Sequence, residues 1–178
     1  MKYDYIIWDF NGTLLNDVGI CVDCLNTLLK SHGMSEKTEE EYKKIFTFPI
    51  KEYYRRAGFD FDVTDYDTLA HEWTDYYRSR ADLELFDGAE QTLKTLANRG
   101  LKQIIISASE KNTLFEQTKV LGIDDYFSEM LGLDNIHARS KKTIANDWRE
   151  RHPKAKVIFI GYTTHDQDVA VAIGADCL

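Results

Sequence analysis

In four places this 178-residue chain sets polar side chains directly after, or a short way beyond, a short apolar run. Asp9-Phe10-Asn11-Gly12-Thr13 follows Tyr3 to Trp8, and Ser107-Ala108-Ser109 follows Gln103 to Ile106. Ser140-Lys141-Lys142 lies beyond Glu129 to Leu133, and Gly161-Tyr162-Thr163-Thr164-His165-Asp166 follows Val157 to Ile160. Converged at one edge, these segments supply a carboxylate, hydroxyls, an ammonium and a second carboxylate, the parts of a phosphate and cation site. A carboxylate at a strand end can attack phosphorus and form an aspartyl-phosphate, dividing one hard step into two. Gly12 lets backbone N–H groups close around phosphate oxygens. The Ser107 hydroxyl can donate to one of those oxygens. A lysine offers a compact positive charge that screens the nucleophile from a phosphate dianion. Two carboxylates plus a backbone carbonyl suit Mg²⁺, which wants oxygen ligands and keeps several waters.

The apolar runs read as buried strands. Between them the sequence predicts helices over 87–99, 111–121, 140–151 and 166–173, stopped by Gly100, Gly122, His152-Pro153 and Gly174. Strands alternating with helices indicate right-handed βαβ units and an α/β fold built on a doubly wound, mostly parallel sheet. In such sheets ligands bind beyond the carboxyl ends of the strands, where these polar segments fall. One stretch departs from the alternation. From residue 17 to about 84 every predicted element is helical, with Thr38-x-x-Glu41 as a capping box and Pro49 opening a helix that Gly58 ends. The expected division is therefore 1–16 and 85–178 as an α/β core, with 17–84 as an inserted helical cap. At Asp176-Cys177-Leu178, where a further strand is due, the sequence leaves a short edge strand and suggests truncation.

Composition narrows the functions. A 178-residue chain with 43% hydrophobic residues can bury roughly 70% of its unfolded surface, so it needs no disulfide or metal staple to fold. Only 12 residues (10 Gly and 2 Pro) are Gly or Pro, which argues against long disordered tails. A net charge of −8 opposes nucleic-acid or anionic-membrane partners. The longest apolar run, Val169 to Ala175, falls short of the roughly 18 residues of a membrane span. The N-terminus lacks the apolar core of a signal peptide, so the expected location is cytoplasmic. Cys21 and Cys24 form a C-x-x-C. They also share one helical stripe with Leu25, Leu28 and Leu29, which favours core packing over redox chemistry.

The order of these motifs resembles the haloacid dehalogenase superfamily of hydrolases, over the stretch from Asp9 to Gly174. The first family motif, Asp-x-Asp-Gly-Thr, reads Asp9-Phe10-Asn11-Gly12-Thr13; the second is Ser107 after Ile104-Ile105-Ile106; the third is Lys141. The fourth, Gly-Asp and then a second Asp a few residues on, reads Gly161-Tyr162 … Asp166. The helical insertion resembles the phosphoglycolate phosphatase-like subgroup. The resemblance implies a Mg²⁺-dependent phosphate monoester phosphatase acting on a small phosphorylated metabolite. Asp9 would be the nucleophile and Lys141 its catalytic partner. Gly12, Thr13, Ser107 and Ala108 would bind phosphate, and Asp9, the Asn11 carbonyl and Asp166 would bind metal. Lys142 remains an alternative to Lys141, and His165 a surface residue or substitute base. Asp168 is expected on the far face of its helix.

Two positions depart from the family pattern. Asn11 stands where family phosphatases carry the general acid and base, and an amide exchanges no proton at neutral pH. Tyr162 stands where the principal Mg²⁺ aspartate is usual, and a phenol with pKa near 10 is a poor ligand for a hard cation. Mg²⁺ is therefore expected to bind weakly. Three alternatives stay open: a phosphate-binding or regulatory protein without turnover, a metal-independent dehalogenase-type hydrolase, and a carbon–phosphorus hydrolase using Lys30, Lys43, Lys44 or Lys51 as a Schiff base. Lys51, Tyr54 and Arg55 either meet an anionic substrate or form a solvated helix face.

Overall fold

The computed structural model describes residues 2–134 and 140–178. The chain forms two compact units, one of Met1–Asn16 with Leu83–Leu178 and one of Asp17–Asp82.

The first unit is α/β. Its strands are β1 (Tyr5–Trp8), β2 (Lys102–Glu110), β3 (Glu129–Leu133), β4 (Val157–Ile160) and β5 (Asp176–Cys177). They pair in the order β3-β2-β1-β4-β5, all parallel. The strand expected near Asp176 is β5, on β4. The apolar runs are continuous because both sheet faces are covered. Ile6, Trp8 and Ile105 face a core with Leu93 and Leu114, while Ile7, Ile104 and Ile106 face another with Trp148, Phe159 and Val169. At the sheet's centre, connections leave β1 toward β2 on one side while β4 lies on the other. The carboxyl end of β1 is thus the switch point where the crevice of such a fold opens.

The helices of this unit lie at the expected places: α5 (Ala89–Asn98), α6 (Lys111–Val120), α7 (Lys141–Arg151) and α8 (Thr164–Ala172). Leu83 and Glu84, expected in the helical block, join the α/β unit instead. Leu83 packs against its core, and the Glu84 carbonyl accepts from Asn16 N–H at 2.9 Å. β2 runs on to Glu110, past the expected end at Ile106. Its register against β3 slips there: Ile106 faces Leu131 and Glu110 faces Leu133. The extra residues on β2 form a bulge, an irregularity common next to functional sites. Gly132 faces the bulge, where any Cβ would lie 2.7 Å from the Ser109 carbonyl oxygen.

The second unit is helical: α1 (Val18–Ser31), α2 (Glu39–Ile45), α3 (Ile50–Ala57) and α4 (Tyr66–Arg78). The Thr38–Glu41 capping box opens α2, and Gly58, at φ 118°, ends α3. Its core is rich in rings, with Tyr42, Tyr53, Tyr54 and Phe59 packed around Leu25, Leu28, Leu29 and Leu69. Cys24 is buried in this unit and Cys21 is half-buried, and both thiols are free. Burial pushes both up, Cys24 to about 11, away from the thiolate form that redox chemistry uses.

Candidate active site

Asp9 follows β1 directly, its N–H donating to the Ile160 carbonyl at 2.8 Å, and its side chain is buried. Lys141, the first residue of α7, is 3% exposed; Lys142 beside it is exposed. The Lys141 ammonium lies 2.5 Å from Asp9 Oδ1 and 2.6 Å from Asp166 Oδ1, bridging the two carboxylates. Thr13 donates to Asp9 Oδ2 at 2.8 Å. The local sequence explains each placement. Ser140 caps α7 by accepting from Thr143 N–H, which sets the helix phase and turns Lys141 inward. Thr163 caps α8, and Asp166 returns the bond: Asp166 Oδ2 accepts from Thr163 N–H at 3.0 Å and from its hydroxyl at 2.6 Å. Gly161 makes room, since a Cβ there would sit 2.6 Å from Asp166 Cβ.

Burial pushes Asp9 above the usual carboxylate range, and the negative charge of Asp166 adds to the push, while Lys141 only partly offsets it. For Asp166 burial also pushes upward. Here the Lys141 ammonium and the bonds from Lys141 and Thr163 outweigh it and hold the carboxyl below its ordinary value. His165 lies in the first turn of α8, half-buried; burial and the nearby Lys141 charge lower it, favouring the neutral ring. Asp168 is exposed.

Asn11 sits opposite the β2 bulge. Its Oδ1 accepts from the Ser109 hydroxyl at 2.5 Å and from Ser107 at 3.4 Å. Ser107 is buried and its oxygen accepts from Ser109 N–H at 3.0 Å. Gly12 has φ 73°, a conformation that favours glycine, and the Tyr162 ring lies against it so closely that any Cβ would overlap the ring. Ala108 is half-buried between the two serines. The structure thus brings Asp9, Asn11, Thr13, Ser107, Lys141 and Asp166 together within one unit.

Two contributors were not singled out in the sequence. Ser109 was readable as the i+2 partner of Ser107, and Thr163 as the start of a Thr-x-x-Asp capping box. On the helical unit, Tyr54 is neither a substrate contact nor a solvated face: it is 2% exposed in the aromatic core. Lys51 lies over the Phe61 and Tyr66 rings, and Arg55 pairs with Glu52. Lys30, Lys43, Lys44 and Lys51 are all exposed, whereas a Schiff-base lysine is activated by desolvation or by a neighbouring cation.

These residues do not fit Mg²⁺ well. Each of the four oxygens of Asp9 and Asp166 already accepts a hydrogen bond, and the same ammonium spans both carboxylates. A third carboxylate is missing, because Tyr162 takes its place in the sequence. Among the described residues no group of three or more His, Cys, Asp or Glu is arranged to hold a metal ion. The Mg²⁺ dependence implied by the resemblance therefore lacks a matching donor set.

The bridge has a consequence for stability. Lys141→Met leaves two buried carboxylates facing each other without a counter-charge, and is expected to cost about 3 kcal/mol at pH 7. In thermal melts that is a fall of roughly 6–12 °C. Both carboxyls would then titrate above their unfolded values, so the cost is present at neutral pH and shrinks on acidification as they protonate. Melts at pH 7 and pH 5 read both features.

Over residues 6–178 the sequence matches the family model described as haloacid dehalogenase-like hydrolase. Pyrophosphatase PpaX of Halalkalibacterium halodurans is 19% identical over 138 residues, covering 76% of this chain and 62% of that protein. The chain therefore spans less than two thirds of that relative's length. Pyrophosphatase PpaX of Bacillus pumilus is 22% identical over 174 residues, 95% of this chain and 73% of that one. A crystal structure described as a predicted phosphoglycolate phosphatase from Haemophilus somnus shares the fold. Its TM-score is 0.82 at 19% identity, covering 99% of this chain and 84% of that one.

Proposed function

The chain belongs to the haloacid dehalogenase-like hydrolase family, and on that premise we propose that it cleaves phosphate from a small phosphorylated molecule through an aspartyl-phosphate at Asp9. The observation that carries this reading is the buried Asp9–Lys141–Asp166 bridge at the carboxyl end of β1. In the first step an Asp9 oxygen bonds to phosphorus and the leaving oxygen departs with its electron pair. Lys141 stays against Asp9 and Asp166 and offsets part of the negative charge brought by the phosphate. The Gly12 loop and the Ser107 hydroxyl bind the phosphate oxygens. In the second step water attacks phosphorus and releases inorganic phosphate, regenerating Asp9. Thr13 and Thr163 hold the two carboxylates in place.

Asn11 shapes both steps. It offers a hydrogen bond but no proton, so the leaving oxygen departs unassisted and the attacking water is not deprotonated by it. The first step then favours leaving groups that are stable as anions. An aryl oxide or a phosphate is such a group, which agrees with the pyrophosphatase relatives. The second step has no such relief and becomes the slow one. With p-nitrophenyl phosphate the expected result is a burst of p-nitrophenolate close to one equivalent per chain, then slow turnover. Mass spectrometry of quenched protein would locate the phosphoryl group on the peptide carrying Asp9. Binding of phosphate with no burst and no phosphoryl transfer would favour instead a phosphate-binding or regulatory protein, the reading that the Asn11 and Tyr162 replacements support.

Substrate selection we assign to the helical unit Asp17–Asp82 acting as a cap. No helix among the described residues is long and apolar enough to cross a membrane, and we place the protein in the cytoplasm.

A further inference from the structure

We propose that the chemistry at Asp9 runs without a divalent metal, because the Lys141 ammonium occupies the position between the two carboxylates and Tyr162 denies Mg²⁺ its third anionic ligand. The proposal rests on the reading of Asp9 as the reactive group, but its first test is independent of turnover.

Charge and available donors both oppose Mg²⁺ at this cluster. Asp9 and Asp166 carry two negative charges in a buried cluster, and that pair demands a cation. The ammonium meets the demand at 2.5 and 2.6 Å, and it is covalently tethered, so it is present at full occupancy whatever the metal concentration. The ammonium also lies 5.3 Å from the centre of the Phe159 ring. A Mg²⁺ ion approaching the same carboxylates would meet that ammonium as a like charge. The ion needs near-octahedral oxygen ligands and gives up its waters reluctantly, so it must gain anionic charge to stay. Position 162 contributes none. Its ring lies against Gly12 and it carries a phenol in place of a carboxylate, with the residue 55% exposed. The Asn11 side-chain oxygen is occupied by Ser109 and Ser107. What survives is one shared net negative charge for two carboxylates and an ammonium, too little to draw a dication out of water.

The test is calorimetric titration of the intact protein with MgCl₂ alone. Wild type and Tyr162→Phe are expected to give no saturable heat, whereas Tyr162→Asp should bind Mg²⁺ at least roughly tenfold more tightly than either. Tyr162 is a surface residue, so its replacement leaves the cores intact, and a thermal melt checks this. Adding Asp9→Asn to Tyr162→Asp should remove the binding, which places the ion at this cluster. Saturable binding by wild type in the micromolar range would overturn the proposal. Failure of Tyr162→Asp to bind would overturn the assignment of Tyr162 as the excluding residue.

The second arm reads the p-nitrophenolate burst with a chelator and with added Mg²⁺. An equal burst in both supports metal independence, and a burst that disappears with chelator and returns with Mg²⁺ overturns it. Absence of a burst under every condition would refute the aspartyl-phosphate reading, and the calorimetry would still decide whether the cluster takes a metal.

Discussion

Asp9→Asn is expected to lower p-nitrophenyl phosphate turnover by roughly 10³-fold or more and to abolish the burst. The amide has the size and shape of the carboxylate it replaces. Its oxygen can still accept from Lys141 or Thr13, the two donors that Asp9 satisfies now. The ion balance of the cluster also survives: one ammonium would face one carboxylate, Asp166, where it now faces two. Asp9→Asn should therefore melt close to wild type, in contrast to Lys141→Met, which strands two carboxylates. The pair separates chemistry from folding at a cluster where every member is buried. An Asp9→Asn protein that kept the burst would move the nucleophile elsewhere, and the mechanism argued here would fall with it.

Much of the site is legible in the sequence because its parts are local. Strands β1, β2 and β4 carry short runs of Ile, Val, Phe or Trp, and the residue after each run is placed by the strand itself. Asp9 and Ser107 follow from that rule alone. The choice of Lys141 over Lys142 does not, because adjacent lysines share every local property. It is settled by the Ser140 cap, which sets the phase of α7 so that only one ammonium reaches the sheet edge. The β2 bulge is equally hidden. Ser109 looks like one polar residue beyond a strand, and only the register slip against β3 turns its hydroxyl onto Asn11.

The misreading of Tyr54 has a different cause. Ile50 to Ala57 alternates aromatic and charged residues within two turns, so a helical pattern alone leaves two faces plausible. Burial was decided by rings beyond the end of that helix, Phe59 and Tyr66, which pack against Tyr54. At Tyr162 sequence shows which residue is missing but not where the ring goes. That depends on Gly12, a residue 150 positions away whose absent Cβ leaves room for it. In both cases the hidden part is a contact made outside the element that carries the residue.

Asn11→Asp should have the larger consequence for what the protein can do. A carboxyl at this position would accept from Ser109 and Ser107 as the amide does, so the geometry carries over. It would add proton exchange to both steps. On an alkyl phosphate, whose leaving oxygen is a strong base, turnover is expected to rise by about 10²–10⁴-fold. On p-nitrophenyl phosphate the first step needs no proton, so its rate should change little. The second step should quicken for every substrate, since the water attacking the aspartyl-phosphate would gain a base, and the burst should vanish as the intermediate ceases to accumulate. The diagnostic is the ratio of kcat/KM on alkyl and aryl phosphates, which reads the first step alone and in which errors in active-site concentration cancel. A ratio unchanged by Asn11→Asp would mean that the amide does not occupy the proton-transfer position, and the preference for stable leaving groups would need another origin. A ratio that rises steeply would establish Asn11 as the residue that confines the wild-type chain to activated phosphates.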